Sequence, residues 1–220
     1  MLKQSHKLLG EYLIHNCAEL PKKRHKKLFL WGCVEPDYNY LTYLKGSLKI
    51  QPFRGHHYPN GQSRILRLVR RLRRNHRRNV LNFYRLGKLM HYVADAFTYT
   101  HNPEFGGRVK GHHSYEINLH SRFQSGFCGT VFPLQNGKSG SAEALFFDAH
   151  QQYTETPAGF STDLDYIVKV AASVFRLLVP EAQTAAKSRK LLLSSLYGLL
   201  RRDGQEGDIA LEYSESPVVG

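Results

Sequence analysis

Hydrophobic residues recur at helical spacing through most of the chain. From Leu2 to Leu20 they fall mostly three or four positions apart, which predicts a first helix that Pro21 ends. Similar patterns occupy the segments 63–101, 112–125, 142–153, 163–178 and 180–200. The sequence shows no sustained alternation of apolar and polar residues, which is the pattern of a half-buried strand. We therefore predict an all-α fold, a single-domain helical bundle of about seven helices.

Breaker residues separate these helical segments. Glu35-Pro36-Asp37 is predicted to end the apolar stretch 28–34, because proline disfavours a helical conformation in the residue before it. Residues 38–62 are rich in aromatic residues, glycine and proline, and Asn60-Gly61 is a turn signal, so we predict a loop there. A further break between two helices is expected near residues 75–79.

Length and composition limit the class of protein. With 220 residues, of which 41% are hydrophobic, the chain can bury a core, which excludes a wholly disordered protein. No apolar run approaches the roughly 18 to 20 residues that a membrane-spanning helix requires. We expect one domain over residues 1–200 and a polar C-terminal tail over residues 201–220.

The expected location is cytoplasmic, with peripheral contact at a membrane left open. The first residues do not follow the order of a secretory leader, in which a charged, an apolar and a small-residue region succeed one another. The three cysteines, Cys17, Cys33 and Cys128, are an odd number at wide spacings. This favours reduced thiols over a disulfide framework or a cysteine zinc site.

Charge and histidine content point to metal and phosphate chemistry. The net charge of +13 favours anionic partners, which include nucleic acid, phospholipid head groups and phosphorylated substrates. The chain also has 12 histidines, and neutral imidazole is the commonest metal ligand in proteins.

Two histidine–carboxylate pairs carry the strongest chemical signal. His91 and Asp95 are four positions apart in one predicted helix, and His112 and Glu116 repeat this spacing in the next. Residues four apart lie on one face of a helix, so each pair can hold a cation from a rigid backbone. One such pair is usually a surface ion pair. Two pairs, with His101 between them, favour a metal site.

This ordered set of residues resembles the metal-binding core of the bacterial zinc-dependent phospholipase C family. That family is related to fungal zinc nucleases that cleave single-stranded nucleic acid. Upstream, Gly32 to Asp37 is similar to the family's Gly…Pro-Asp element, His56-His57-Tyr58 to its His-aromatic-Tyr element, and Ser5-His6 to its N-terminal helix histidine. The resemblance covers approximately residues 1–120. It implies a helical bundle built around a multinuclear metal site.

The resemblance also implies a set of metal ligands, all imidazoles and carboxylates. They are Asp37, His56, His91 and Asp95 for a first zinc ion, His101, His112 and Glu116 for a second, and His6 with Asp95 as a bridge for a third. Zinc accepts both donor types, and catalytic zinc keeps one position for water. Because iron and manganese accept them too, the prediction of two or three zinc ions rests on the resemblance.

Three positions of this set need comment. In secreted members of the family, the amino group and carbonyl of an N-terminal tryptophan complete the third position, whereas Trp31 here is internal. Either the Met1 amine or water is left to complete it. The family pattern favours His56 over His57 as the ligand, and His113 is expected to be a solvated neighbour.

The chemistry implied is hydrolysis of a phosphodiester or phosphomonoester. Metal coordination makes hydroxide available near pH 7, and paired ions stabilise the charge that develops on phosphorus. Asp37 is the candidate catalytic residue because its carboxylate can orient or deprotonate water, although it can also serve only as a ligand. Cys33 is interpreted as a buried thiol, since no activating base stands at a diagnostic spacing.

A basic segment has two interpretations. Eight arginines occur in the fifteen residues from Arg64 to Arg78, together with apolar residues at helical spacing. The segment is either a core helix with a highly charged outer face or a surface that docks on a phospholipid interface or on nucleic acid. The aromatic segment from Tyr38 to Tyr43 either lines the mouth of a pocket or packs within its loop.

The leading prediction is a metal-dependent phosphoester hydrolase that resembles zinc-dependent phospholipase C. In it, metal-activated water attacks the phosphodiester of a phospholipid or of a smaller substrate. One alternative is a zinc nuclease on single-stranded nucleic acid, which the basic segment favours somewhat, since fold alone does not fix the substrate. The other is a non-catalytic, metal-stabilised module that docks on anionic surfaces.

Overall fold

The computed structural model describes residues 1–17, 20, 22–39, 41, 56–74, 79–103, 105, 109–126 and 141–179. Within these residues the chain forms seven α-helices and a short 3₁₀ helix, and it forms no strand there. They are α1 (Lys3–Asn16), α2 (Lys23–Tyr38), α3 (Tyr58–Arg74), α4 (Val80–Ala96), η1 (Tyr99–His101), α5 (Val109–Gly126), α6 (Ala142–Glu155) and α7 (Phe160–Leu178). The predicted all-α fold is confirmed.

All the described residues lie in one compact unit, which residues 1–183 span. The predicted helix at 180–200 and the predicted boundary between domain and tail at residue 200 lie outside the described residues. No helix among those described combines the length and the apolar character needed to cross a membrane.

The core is built from aromatic and aliphatic side chains that the helices share. Phe97, just after α4, packs against Phe146 and Tyr153 of α6, with ring centroids 5.7 and 5.4 Å apart. Phe29 of α2 meets Phe175 of α7 edge to face. These buried rings fix the relative positions of α2, α4, α6 and α7, and two of these helices, α2 and α4, carry candidate site residues.

The closest helix contact lies between α2 and α4, and it requires glycine on both sides. A Cβ atom on Gly32 would lie 2.2 Å from the carbonyl oxygen of Tyr84, and one on Gly87 would lie 2.1 Å from that of Phe29. Both distances are far below a van der Waals contact. The two backbones therefore approach closely, which places the C-terminal end of α2 beside the second half of α4.

The prediction that Glu35-Pro36-Asp37 ends the second helical segment is wrong. Pro36 lies inside α2, which continues to Tyr38. At this position the proline removes one intrahelical hydrogen bond and crowds the preceding turn, which costs stability. Pro36 and Glu35 are buried, and Glu35 pairs with Lys88 of α4 at 2.7 Å. Packing against α4 thus outweighs the preference of the residue before a proline for a non-helical conformation. As a result, Asp37 lies within the helix.

The predicted loop over residues 38–62 is wrong at its C-terminal end. The helix α3 begins at Tyr58, and Asn60-Gly61 lies in its first turn. The carbonyl oxygen of His57 accepts the backbone N–H groups of both residues, at 3.0 and 2.8 Å. The turn signal therefore marks the start of a helix. Residues 40 and 42–55 lie outside the described part of the chain.

Two smaller differences concern helix ends. The first helix ends at Asn16, earlier than the predicted end near Leu20. The helix that carries His91 ends at Ala96, and His101 belongs to η1. Both differences arise at turns whose hydrogen bonds the periodicity of apolar residues does not reveal.

Candidate metal centre

Four side chains from three parts of the chain converge in a first cluster. Asp37 lies in the last turn of α2, His56 just before α3, and His91 and Asp95 lie one turn apart on α4. His56 Nδ1 and His91 Nε2 are 3.0 Å apart, and each is 3.1 Å from Asp95 Oδ2. Asp37 Oδ1 lies 3.7 and 3.8 Å from these two nitrogens. His91 and Asp95 are 0% and 1% exposed.

These separations have the size expected around a zinc ion. Zinc–ligand bonds of about 2.0 to 2.1 Å in a tetrahedron place neighbouring donor atoms about 3.3 Å apart. A hydrogen bond between the imidazoles of His56 and His91 can explain their 3.0 Å separation, but not the approach of the two carboxylates. The convergence of two nitrogens and two carboxylate oxygens fits a shared cation.

The orientation of His91 supports the same interpretation. Its Nδ1 lies 2.9 Å from the carbonyl oxygen of Cys33, which can only accept a hydrogen bond. Nδ1 therefore carries the proton, and in the neutral ring Nε2 presents a lone pair to Asp95. Two acceptors 3.1 Å apart need a cation between them, either a second proton or a metal ion. A backbone hydrogen bond of this kind commonly orients histidines that bind metals.

A second cluster joins η1 to α5. His101 Nε2 and His112 Nε2 each lie 3.1 Å from Glu116 Oε1. His101 Nδ1 lies 3.3 Å from the carbonyl oxygen of His56, so Nε2 is again the nitrogen that faces the carboxylate. His101 and Glu116 are buried, and His112 is partly exposed. The three donors leave one side of the cluster closer to solvent.

A tight turn after α4 holds His101 in this position. The side-chain amide of Asn102 donates to the carbonyl oxygens of Ala96 and Thr98, at 3.0 and 2.9 Å. The hydroxyl of Thr98 donates to the carbonyl of Ala94 at 3.0 Å. The segment that carries His101 is thus tied to the end of the helix that carries Asp95.

The buried carboxylate of Asp163 connects the two segments of the second cluster. Its Oδ2 accepts from the backbone N–H of Tyr99 at 2.9 Å and from the hydroxyl of Tyr115 at 3.0 Å. Its Oδ1 accepts from the hydroxyl of Tyr153 at 2.7 Å. Burial outweighs these donors and raises the pKa of Asp163 to about 6. Since Tyr115 precedes Glu116, one side chain positions both η1 and α5.

A third group of donors surrounds the other oxygen of Asp95. Asp95 Oδ1 lies 3.2 Å from His6 Nε2 and 3.1 Å from the amino nitrogen of Met1. The same amino group contacts Glu116 Oε1 and lies 2.8 Å from His101 Nε2. His6 is 1% exposed, and within the described residues neither of its ring nitrogens has a hydrogen-bond partner of good geometry. Burial of an imidazole in this way fits a ligand to a cation.

Burial and charge set the protonation states of the cluster. Burial alone would raise the pKa of Glu116, but the Met1 amine, His101 and His112 hold it far below its usual range. The pKa of Asp95 is likewise lowered despite burial, by the Met1 amine, His101 and His91.

The nitrogen groups respond in different directions. Burial, then the proximity of His91, lowers the pKa of His6 to about 4. Burial also lowers the pKa of His56. Asp95, Glu116 and other carboxylates raise the pKa of the Met1 amine to about 11 although burial opposes this. At neutral pH Asp95 and Glu116 are thus ionised and the imidazoles of His6 and His56 are neutral, as cation binding requires. For His91, burial lowers the pKa, but Asp95 and Asp37 outweigh it and raise the pKa.

The sequence analysis also named residues that neighbour the predicted ligands, and the structure shows where they lie. The His57 ring is 5.5 and 6.1 Å from the rings of His101 and His112, outside the groups whose donor atoms converge. His113 is exposed, as expected.

Cys33 is buried, and burial raises the pKa of its thiol, which agrees with its interpretation as an unreactive thiol. Tyr38 is exposed and lies under the ammonium group of Lys3.

Two features of the centre escaped sequence reasoning. Asp163 lies 48 and 64 positions from Tyr115 and Tyr99 in the chain, so no local spacing links them. The available signal was an acidic residue on the apolar face of a predicted helix. The sequence allows either the Met1 amine or water at the third position, and only the structure shows that the amine reaches Asp95.

Comparison with known proteins gives one finding. The sequence model of a family described as zinc-dependent phospholipase C matches residues 5–160. Neither the curated proteins nor the solved structures give a significant match. The matched residues include every predicted ligand, and they extend about 40 residues beyond the resemblance noted in the sequence. The match spans well over half of the chain, and the protein therefore belongs to the zinc-dependent phospholipase C family.

Proposed function

We propose that this protein hydrolyses a phosphodiester bond of a phospholipid with the help of bound zinc. Membership of the family supports metal-dependent phosphoester hydrolysis as the class of reaction. The observation that carries the proposal is the convergence of donor atoms. Three groups of histidine and acidic side chains each bring their ligand atoms within 4.8 Å of one another.

The donor sets suggest how zinc ions would be held. The groups with converging donor atoms are Asp37, His56 and His91, then His101, His112 and Glu116, and then His6, His91 and Asp95. Asp95 faces the first group with Oδ2 and the third with Oδ1, so its carboxylate is suited to bridge two ions. The Met1 amine occupies the remaining side of the third position, where it can become a ligand after losing its proton.

Asp37 is the side chain best placed to handle a proton. When bound, zinc lowers the pKa of water and offsets negative charge on phosphorus. Asp37 Oδ1 lies 3.7 Å or more from the histidine nitrogens, whereas Asp95 Oδ2 lies 3.1 Å from both. Asp37 is also the more exposed of the two carboxylates, with side-chain exposures of 8% and 1%. It can therefore orient the attacking water or accept its proton.

Two ligand variants test this proposal. His91→Ala and Glu116→Ala each remove one donor from a converging group, so both should lose bound zinc and lower the release of phosphocholine from phosphatidylcholine by at least about a hundredfold. His113→Ala is the matched control because His113 is exposed beside the second cluster. A chelator should abolish the activity of the unaltered protein. Equal activity in all four proteins would refute the proposal.

A nuclease is the second candidate, because the exposed arginines of α3 also suit the backbone of a nucleic acid. The same assay distinguishes the two functions when single-stranded nucleic acid replaces phosphatidylcholine. Release of nucleotides with no release of phosphocholine would assign the centre to a nuclease. Binding of zinc without turnover of either substrate would assign it to a non-catalytic module.

A further inference from the structure

The helix α3 has one face in the core and one face covered with arginine. Ile65 and Val69 are buried among the core residues. The arginines outside this buried face fall into two groups, those with a hydrogen-bond partner and those without an acidic partner in the described residues. Arg64 donates to the hydroxyl of Tyr92 and Arg73 to Glu143 Oε2, both at 3.1 Å. Arg77 and Arg78 lie outside the described residues.

Four arginines of α3 have no acidic partner in the described part of the chain. They are exposed, and they line one pocket of about 660 Å³. The pocket is lined by Ser63, Leu66, Arg67, Arg70, Arg71 and Arg74, and we call it the arginine pocket. The positions 67, 70, 71 and 74 cover two turns on one face, a length of about 10 Å.

This grouping of like charges needs an anion that the described residues do not supply. Guanidinium groups bind phosphate through paired hydrogen bonds, and four of them in one concave surface create a strong positive potential. The repulsion is felt nearby, since Arg71 adds to the effect of burial in lowering the pKa of Arg85. The pocket therefore fits a ligand with several phosphate groups or a surface that presents them.

The lining of the pocket favours lipid head groups over nucleic acid. Proteins that bind single strands stack the bases on aromatic side chains. The described residues that line the arginine pocket include no aromatic side chain, and Leu66 adds an apolar contact. Basic amphipathic helices with four or more cationic residues typically bind anionic membrane surfaces.

The helix that carries the arginine pocket also contacts the surroundings of the metal centre. Arg64, one turn before Arg67, contacts the hydroxyl of Tyr92. The ring of Tyr92 packs edge to face on His56 and His91, with centroids 5.8 and 5.3 Å away. A surface that docks at the pocket therefore contacts α3, the helix that begins two residues after the predicted ligand His56.

We propose that the arginine pocket docks the protein on a bilayer surface that contains anionic phospholipid. The proposal rests on the proposed action on phospholipids, because docking there brings the substrate to the centre. It adds a second binding site, which recognises anionic phospholipids that surround the substrate in the bilayer and does not contact the bond that is cleaved.

Vesicle sedimentation tests the docking surface. The variant R67Q/R70Q/R71Q/R74Q should bind phosphatidylcholine vesicles that contain phosphatidylserine up to about a thousandfold more weakly than the unaltered protein. The charge-preserving variant R67K/R70K/R71K/R74K should keep most of the binding if positive charge is the cause, and equal helical circular dichroism of the two variants would exclude misfolding. The control K22Q/K23Q/R24Q/K27Q removes the same charge from exposed residues of α2 and the residue before it, and it should bind as the unaltered protein does.

Several outcomes would overturn the docking surface. If the α3 and α2 variants lost the same amount of vesicle binding, net charge and not the arginine pocket would explain the binding. If the unaltered protein bound vesicles equally well with and without phosphatidylserine, recognition of anionic lipid would be excluded. Tighter binding of a single-stranded oligonucleotide, lost in the glutamine variant, would assign the pocket to nucleic acid. Sedimentation needs no turnover, so vesicle binding through the arginines without hydrolysis would support docking and refute only the proposed function.

Discussion

At the scale of single residues, Asp95 is the common point of the metal centre. Its two oxygens face different sets of donors, His56 and His91 on one side and His6 with the Met1 amine on the other. A carboxylate can serve both sets because each oxygen has its own lone pairs. The two oxygens of one buried side chain therefore set the distance between the first and third positions.

Asp163 gives a test of positioning that does not alter any ligand. In Asp163→Asn the amide keeps only one acceptor oxygen, so at least one of the three donors, from Tyr99, Tyr115 and Tyr153, loses its partner. We expect about tenfold weaker zinc binding at the second cluster, by analogy with other residues that orient ligands. The expected loss of stability is about 1 to 3 kcal/mol. Competition with a chromophoric chelator measures the affinity.

The control for this variant lies two residues further along the same helix. Asp165 is half exposed and pairs only with Lys169 among the contacts described for it, at 3.2 Å. Asp165→Asn should leave zinc affinity unchanged. If Asp163→Asn loses stability but keeps its full zinc affinity, Asp163 is only structural and the positioning role is excluded.

At the scale of elements, the crossing of α2 and α4 places three of the four donors of the first cluster. Asp37 comes from α2, and His91 and Asp95 come from α4. The backbones touch where Gly32 and Gly87 lie, and His91 follows Gly87 by one turn. Any increase in the distance between these helices therefore moves Asp37 away from the histidine nitrogens.

Gly87→Ala should separate the two helices. The added Cβ would lie 2.1 Å from the Phe29 carbonyl oxygen, which is backbone and cannot rotate away. We expect a loss of about 1 to 3 kcal/mol in the free energy of unfolding, together with a lower zinc content. Gly61→Ala is the control, since its Cβ would meet nothing closer than 4.0 Å. Equal stability of the two variants in denaturant titrations would contradict the close approach.

The elements also show what the sequence could and could not predict. The helices follow from apolar periodicity, and the pairs His91/Asp95 and His112/Glu116 follow from residues four positions apart, both of which are local. Asp37, His56 and His6 follow only from the resemblance to the family. Pro36 inside α2 and the start of α3 before Asn60 were missed because packing and backbone hydrogen bonds outweighed local preferences. The three partners of Asp163 were missed because contacts between distant residues leave no spacing pattern.

At the scale of the whole molecule, charge is distributed unevenly. The chain carries a net charge of +13, yet the carboxylates of Asp37, Asp95 and Glu116 converge in its interior. Among the described groups at the centre, the Met1 amine is the cation that contacts two of them, and His6 is neutral near pH 7 because its pKa is about 4. Divalent ions would supply the missing positive charge. The cytoplasmic location remains a prediction.

The metal content of the purified protein tests the central claim most directly. Elemental analysis of the protein, folded in the presence of zinc and then dialysed, should find about two or three zinc ions per chain, since two of the three donor groups share His91 and its Nε2 can bind only one ion. A well-folded helical protein that retains less than one equivalent of any transition metal, under conditions where added zinc is freely available, would contradict the account.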